Sequence, residues 1–248
     1  MRDARCKENS AVKRIVLVQQ KGGAAKTTLC VHLAVASEQS GSKTAIVDTD
    51  PQASAAQIWG QARGGVAPPV AQALAAELRD VLQAAAADGY QVVFIDTPPH
   101  TAPAVELIAR SVDLAIIPVQ PSVLDVAATQ NTVALLRAAG VPMVAVLTRA
   151  PPTRDEETIE TEKALGQLGV TLLATRICER KAYRRALTQG QAVSEFDPSS
   201  KAAQEIAALW TEIEAVHPAR KKQNGSLGRR HDWTEEGLRV VHPAAARP

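Results

Sequence analysis

Six short runs of β-branched and aliphatic residues limit what this chain can fold into. They are Arg14–Gln19 (RIVLVQ), Thr44–Asp48 (TAIVD), Gln91–Asp96 (QVVFID), Leu114–Val119 (LAIIPV), Val141–Thr148 (VPMVAVLT) and Val170–Ala174. Most are apolar almost throughout rather than alternating, as in strands covered on both faces. Longer stretches of helical pattern separate them: Thr27 to about Ser40, an Ala/Leu-rich one from about Val70 to Ala87, Leu124–Ala139, Thr158–Leu168 and Lys201–Glu214. Repeated strand–helix units with short connections predict an α/β fold, a doubly wound and mostly parallel sheet flanked by helices. Hydrophobic residues make up 46% of the chain but aromatics only 3%, so Ala, Val, Leu and Ile must build the core. The 248 residues suffice for one large domain with a two-sided core. Gly60 to Pro69 reads as an exposed connection, and there is no internal repeat.

The net charge of +2 is uneven. Residues 217–248 hold seven Lys or Arg against three acids, a surplus of +4 that leaves the rest at −2. Three parts are expected: a polar leader over 1–12, a domain over 13–216, and a basic, flexible tail over 217–248. The three cysteines, Cys6, Cys30 and Cys178, form no C-x-x-C pair, which argues against a disulfide framework or a zinc site. No run approaches the roughly 18 apolar residues of a membrane span, and the first ten residues lack an apolar signal core. A cytoplasmic protein is expected.

In a sheet of this kind ligands sit at the carboxyl ends of the strands. There the chain carries Lys21-Gly22-Gly23-Ala24-Ala25-Lys26-Thr27-Thr28, between a strand and a helix. Glycines let backbone N–H groups approach phosphates, and the helix start adds its positive dipole end. Lys26 can reach β- and γ-phosphates as a point charge, Thr27 can bind Mg²⁺ and Thr28 can donate to the α-phosphate. The fit to G-x-x-x-x-G-K-[ST] is incomplete, because Gln20 and Ala25 stand at its two glycine positions. A glycine-containing strand-to-helix turn with solvated lysines is the alternative. Two acidic segments follow later strands: Asp48-Thr49-Asp50-Pro51-Gln52 and Asp96-Thr97-Pro98-Pro99. Strand-end acids of this type serve either as helix caps or as partners of a metal.

The loop resembles the deviant form K-G-G-x-G-K-[ST]-T of the ParA/MinD P-loop ATPases, which carries an extra lysine at its start, here Lys21. Ala25 departs from that form too; a left-handed backbone there costs Ala about 1–2 kcal/mol. The resemblance extends from about Arg14 to Val216 and includes Gly190 to Ile206. It implies a nucleotide site of Gly22, Gly23, Ala24, Ala25, Lys26, Thr27 and Thr28, with ATP and Mg²⁺ as cofactors. It implies that Asp50 orients the attacking water, that Asp48 and Asp96 hold the metal through water beside Thr27, and that Thr148-Arg149 flank the adenine. Lys21, Lys26 and Asp50 would carry catalysis, Lys21 by reaching across an ATP-dependent homodimer. Hydrolysis is expected to be slow without a partner.

Arg180, Lys181, Arg184 and Arg185 form the remaining candidate site. If residues 180–187 are helical, these four cations cover an arc of about 140°, with Tyr183 and Leu187 facing the core. Such a stripe either binds phosphates without reading sequence or is a solvated helix face. The resemblance adds nonspecific DNA as a partner, a ParB-like centromere-binding adaptor, a nucleoid-associated location and a role in plasmid or chromosome segregation. Two rivals are a membrane-cycling ATPase, which needs an amphipathic tail, and a non-hydrolysing nucleotide-dependent module. The tail is poor in apolar residues, so a membrane is not an expected partner.

Overall fold

The computed structural model describes residues 12–99 and 102–216. The basic tail and nearly all of the leader lie outside the described residues. The strands are β1 (Lys13–Leu17), β2 (Thr44–Asp48), β3 (Val70–Gln72), β4 (Val92–Asp96), β5 (Leu114–Val119), β6 (Met143–Ala150), β7 (Thr171–Leu172) and β8 (Ile177–Cys178). They form a parallel sheet in the order β3-β2-β4-β1-β5-β6-β7, with β8 also pairing with β6. The doubly wound α/β sheet predicted from the alternation is therefore present.

The helices are α1 (Lys26–Gln39), α2 (Gln61–Arg63), α3 (Leu78–Ala87), α4 (Ala102–Ala109), α5 (Val123–Ala138), α6 (Glu156–Gln167), α7 (Lys181–Thr188), α8 (Val193–Phe196) and α9 (Lys201–Val216). A π-helical segment, Ser54–Gly60, runs directly into α2.

Successive strand residues point to opposite faces, and the core divides accordingly. Ile15, Leu17, Ile46, Phe94, Leu114 and Ile116 pack on one face with α1, α8 and α9. Val16, Val47, Val93, Ile95, Ala115 and Ile117 pack on the other with residues of α3, α4, α5 and α6. Helix α1 is buried almost all round, from Leu29 to Val35, because it is covered by α9 as well as by the sheet.

Three expectations are corrected. The helix predicted from Val70 begins at Leu78; Val70–Gln72 instead extends the sheet, pairing with Ile46–Asp48 of β2. Two prolines just before Val70 hold the chain extended, and the open edge of β2 offers backbone partners that a propensity argument does not see. The stretch Gly60 to Pro69 is not uniformly exposed, since Arg63 and Pro68 are buried. The run Val170–Ala174 supplies only two strand residues, and β8 follows it separately.

Candidate functional site

The register puts the two strand-end acids side by side: Asp48 of β2 is paired with Asp96 of β4, and Asp96 with Leu17 of β1. Residues 21–28 leave the end of β1 just there. Gly23 (φ 77°) and Ala25 (φ 69°) both take left-handed backbone conformations, and Ala25 is the residue from which α1 starts, with no side chain capping it. The left-handed geometry at Ala25 is the one a glycine would adopt freely. The first N–H groups of α1 thus start a helix whose dipole points at the sheet edge.

Lys26 is buried, and its Nζ donates to the Gln19 carbonyl at 3.0 Å. Burial lowers its pKa, opposed by the nearby Asp96 and Asp50 carboxylates. Thr27 Oγ1 donates to Asp96 Oδ2 at 2.6 Å. Burial pushes the Asp96 carboxyl up to about 7, against the pull of the Thr27 hydrogen bond and of Lys26. Its other oxygen, Oδ1, is buried with no hydrogen-bond partner. An orphaned carboxylate oxygen costs free energy unless something fills it, and beside a threonine hydroxyl it suits a hard cation. Mg²⁺ is held typically by one or two protein oxygens plus phosphate and water rather than by an all-protein cage. Among the described residues no group of three His, Cys, Asp or Glu is placed to hold a metal ion.

The Asp48 carboxylate is engaged by backbone donors. Its Oδ1 accepts the Asp50 N–H at 3.0 Å, and its Oδ2 accepts the N–H groups of Ala55 and Ala56 at 2.9 and 3.0 Å. Burial raises its pKa while these three bonds lower it. Asp48 thereby fastens the following turn and π-helical segment to the end of β2. Asp50 stays half-buried, with its Oδ1 accepting the Gln52 N–H.

Lys21 forms an ion pair with the fully buried carboxylate of Asp125. Asp125 also accepts from the Ser122 hydroxyl at 2.8 Å and the Gln120 N–H at 3.3 Å. Gln120 Nε2 donates to the Gly23 carbonyl at 3.0 Å. Sequence reasoning missed Asp125; the available signal was Ser122-x-x-Asp125, a capping pattern at the start of α5. It also gave no role to Gln19, whose buried amide bonds Pro118, Thr129 and Thr132 and ties β1 to α5.

Thr148 is buried, and its hydroxyl donates to the Ala24 carbonyl, so it supports the loop from beneath. Arg149 is exposed with φ 50° and faces Glu179 at 3.5 Å. In the basic segment Arg180 precedes α7 and is drawn onto Glu205, which also accepts from the Tyr183 hydroxyl. The expected four-cation stripe therefore presents three exposed cations: Lys181, Arg184 and Arg185. Tyr183 is buried and Leu187 packs against the core, as predicted.

A lysine and a threonine opening the first helix, facing a strand-end carboxylate across a glycine turn, are how P-loop α/β proteins grip a nucleotide. This chain is of that class. Residues 15–193 match the family model for the CobQ/CobB/MinD/ParA nucleotide binding domain, and the chain belongs to that family. It is 30% identical over 191 residues to Maintenance of carboxysome distribution protein A of Gloeobacter kilaueensis, covering 76% of this chain and 87% of the relative. It is 25% identical over 239 residues to the chromosome-partitioning ATPase Soj of Thermus thermophilus, covering 82% of this chain and 96% of the relative. Its fold matches the septum site-determining protein MinD of Pyrococcus horikoshii, solved with Mg-ADP, at a TM-score of 0.68 and 24% identity, covering 82% of this chain and 96% of that one. The chain is thus an ATPase of the ParA/MinD type.

Proposed function

We propose that this ATPase positions a cargo by an ATP-driven cycle: it dimerises with ATP, holds nonspecific DNA through α7 and is released when ATP is hydrolysed. The orphaned Asp96 oxygen beside Thr27 and Lys26 is the observation that carries the chemistry, since it asks for a cation next to a phosphate-binding loop. Bound Mg²⁺ would neutralise charge on the phosphates, with Thr27 and Asp96 as the residues to hold it, the acid through water. Lys26 would stabilise charge on the β- and γ-phosphates. Asp50 would accept a hydrogen bond from the water that attacks the γ-phosphorus, giving ADP and phosphate. Asp48 would set where Asp50 stands.

Dimerisation draws support from the rim of the loop. Lys21 sits there on Asp125, next to the exposed apolar pair Val123 and Leu124, 76% and 73% accessible. A lysine held at the rim can be handed to a partner protomer's nucleotide, which would make hydrolysis depend on the dimer and the dimer on the γ-phosphate. The cargo, through a ParB-like adaptor, is DNA or a large protein assembly; the relatives named above include one protein that distributes carboxysomes and one that partitions chromosomes. A cytoplasmic, nucleoid-associated location and slow turnover without the adaptor belong to the same reading.

The test is Lys21→Ala, followed by sedimentation and phosphate release with ATP and magnesium. The expected result is retained nucleotide binding with turnover lowered by ~100-fold or more, in line with removal of one preorganised charge. Turnover equal to the wild type, or a wild-type chain that stays monomeric with a non-hydrolysable ATP analogue, would refute the switch.

A further inference from the structure

The Asp48–Gln52 turn and residues 190–195, just past the basic helix α7, are remote in sequence, yet the continuous helical run 54–63 touches both. At its start, Ala55 and Ala56 donate to Asp48. At its end, Trp59 Nε1 donates to the Gln191 carbonyl at 3.2 Å. Arg63, only 7% exposed, places its guanidinium 4.6 Å from the Trp59 ring centroid. Its Nη1 and Nη2 each donate to one Glu195 oxygen at 2.8 Å, and Nη1 also reaches the Gly190 carbonyl at 3.0 Å. The remaining N–H groups go to the carbonyls of Val66 and Ala67.

The backbones themselves touch here. Gly190 has φ +66°, and a Cβ at that position would lie 2.4 Å from Ala62 C and Arg63 N. From the other side α1 grips the same loop, with His32 Nδ1 accepting the Val193 N–H at 3.2 Å. An apolar side chain could seal this gap equally well. A buried guanidinium with its donors satisfied instead fixes orientation, because its planar fork tolerates one arrangement of acceptors.

We infer that Trp59 and Arg63 are positioning residues that couple the phosphate site to α7, so that a shift of the Asp48–Asp50 turn carries residues 190–195 with it. The inference rests on the nucleotide reading of the loop but not on what α7 binds. Linkage makes the coupling reciprocal: a ligand of α7 would change nucleotide affinity by the same factor.

Hydrogen exchange of the full chain, with and without magnesium and a non-hydrolysable ATP analogue, tests it. In the wild type the analogue should slow exchange at residues 22–28, and slow it ~3-fold or more at residues 186–196. Arg63→Lys keeps the charge and loses the fork; Trp59→Phe keeps the ring and loses its N–H. Each should retain the response at 22–28 and lose most of the response at 186–196; Trp59→Phe should unfold close to the wild-type temperature, and Arg63→Lys, which leaves buried acceptors unpaired, at a lower one. If Arg63→Lys fails to fold, Trp59→Phe alone decides. A wild type that responds at 22–28 but not at 186–196, or variants that respond at both, would overturn the coupling and leave the nucleotide site standing. No response at 22–28 in the wild type would remove the nucleotide reading, and the coupling with it.

Discussion

At position 25 a β-carbon stands where the backbone turns left-handed, just as the phosphate loop becomes helix α1. That conformation brings Cβ close to the following carbonyl oxygen, at a cost of ~1–2 kcal/mol. Ala25→Gly removes the clash and adds some unfolded-state entropy. The expected net effect is a gain of stability on the order of 1 kcal/mol, visible as a higher midpoint in thermal unfolding, with nucleotide affinity unchanged or tighter. A lower midpoint would mean that Ala25 contributes packing that outweighs its strain. Asp48 teaches a related lesson about single residues. As a strand-end acid it reads as a metal partner; the fold adds three backbone N–H groups that its carboxylate accepts. Two of those donors, Ala55 and Ala56, come from a π-helical segment that no periodicity predicts.

Among the elements, α7 shows most clearly what pattern reading can and cannot reach. Its helical spacing, its buried Tyr183 and its exposed Arg184 and Arg185 follow from local order along the chain. The loss of Arg180 from the stripe does not, because Glu205 arrives from α9. If α7 is a DNA-binding face, Arg184→Ala with Arg185→Ala should weaken binding to duplex DNA of any sequence. The slope of log affinity against log salt should flatten by about 2 per protomer. Filter binding or fluorescence anisotropy across a salt series measures both; unchanged binding would take α7 out of the function. Both side chains are exposed and alanine favours helix, so folding should be unaffected. Strand β3 is the converse case. Its residues read as the start of a helix, and only the unpaired edge of β2 makes them a strand.

For the whole molecule, global stability carries a signature of how α1 is enclosed. His32 is fully buried, and burial pulls its pKa down to about 3, against the smaller opposing influence of Glu195. In the unfolded chain it titrates near 6.5. Below that pH the unfolded state takes up a proton that the native state refuses, so stability falls as pH drops from about 6.5 towards 3. Asp96, raised to about 7 by burial, acts with the opposite sign over much of the same range and flattens the total curve. The difference between the wild type and His32→Gln isolates the histidine. In magnesium-free urea unfolding that difference should move by ~2 kcal/mol between pH 7 and 4.5, to the disadvantage of the wild type. A constant difference would show that His32 takes up its proton in the native protein over the same pH range as in the unfolded chain.

Local chemistry alone determined a good deal of this protein. Runs of β-branched residues separated by helical stretches specify parallel strands covered on both faces. A lysine and two threonines after a glycine turn specify a phosphate loop, and both follow from neighbours along the chain. Tertiary structure decided the rest: that Asp48 and Asp96 lie in register, that Lys21 rests on Asp125, that Glu205 removes Arg180, and that Arg63 pairs with Glu195. Each of these joins residues dozens of positions apart. Sequence spacing constrains which face a side chain takes, but which distant charge or backbone donor meets it is set only when the layers close.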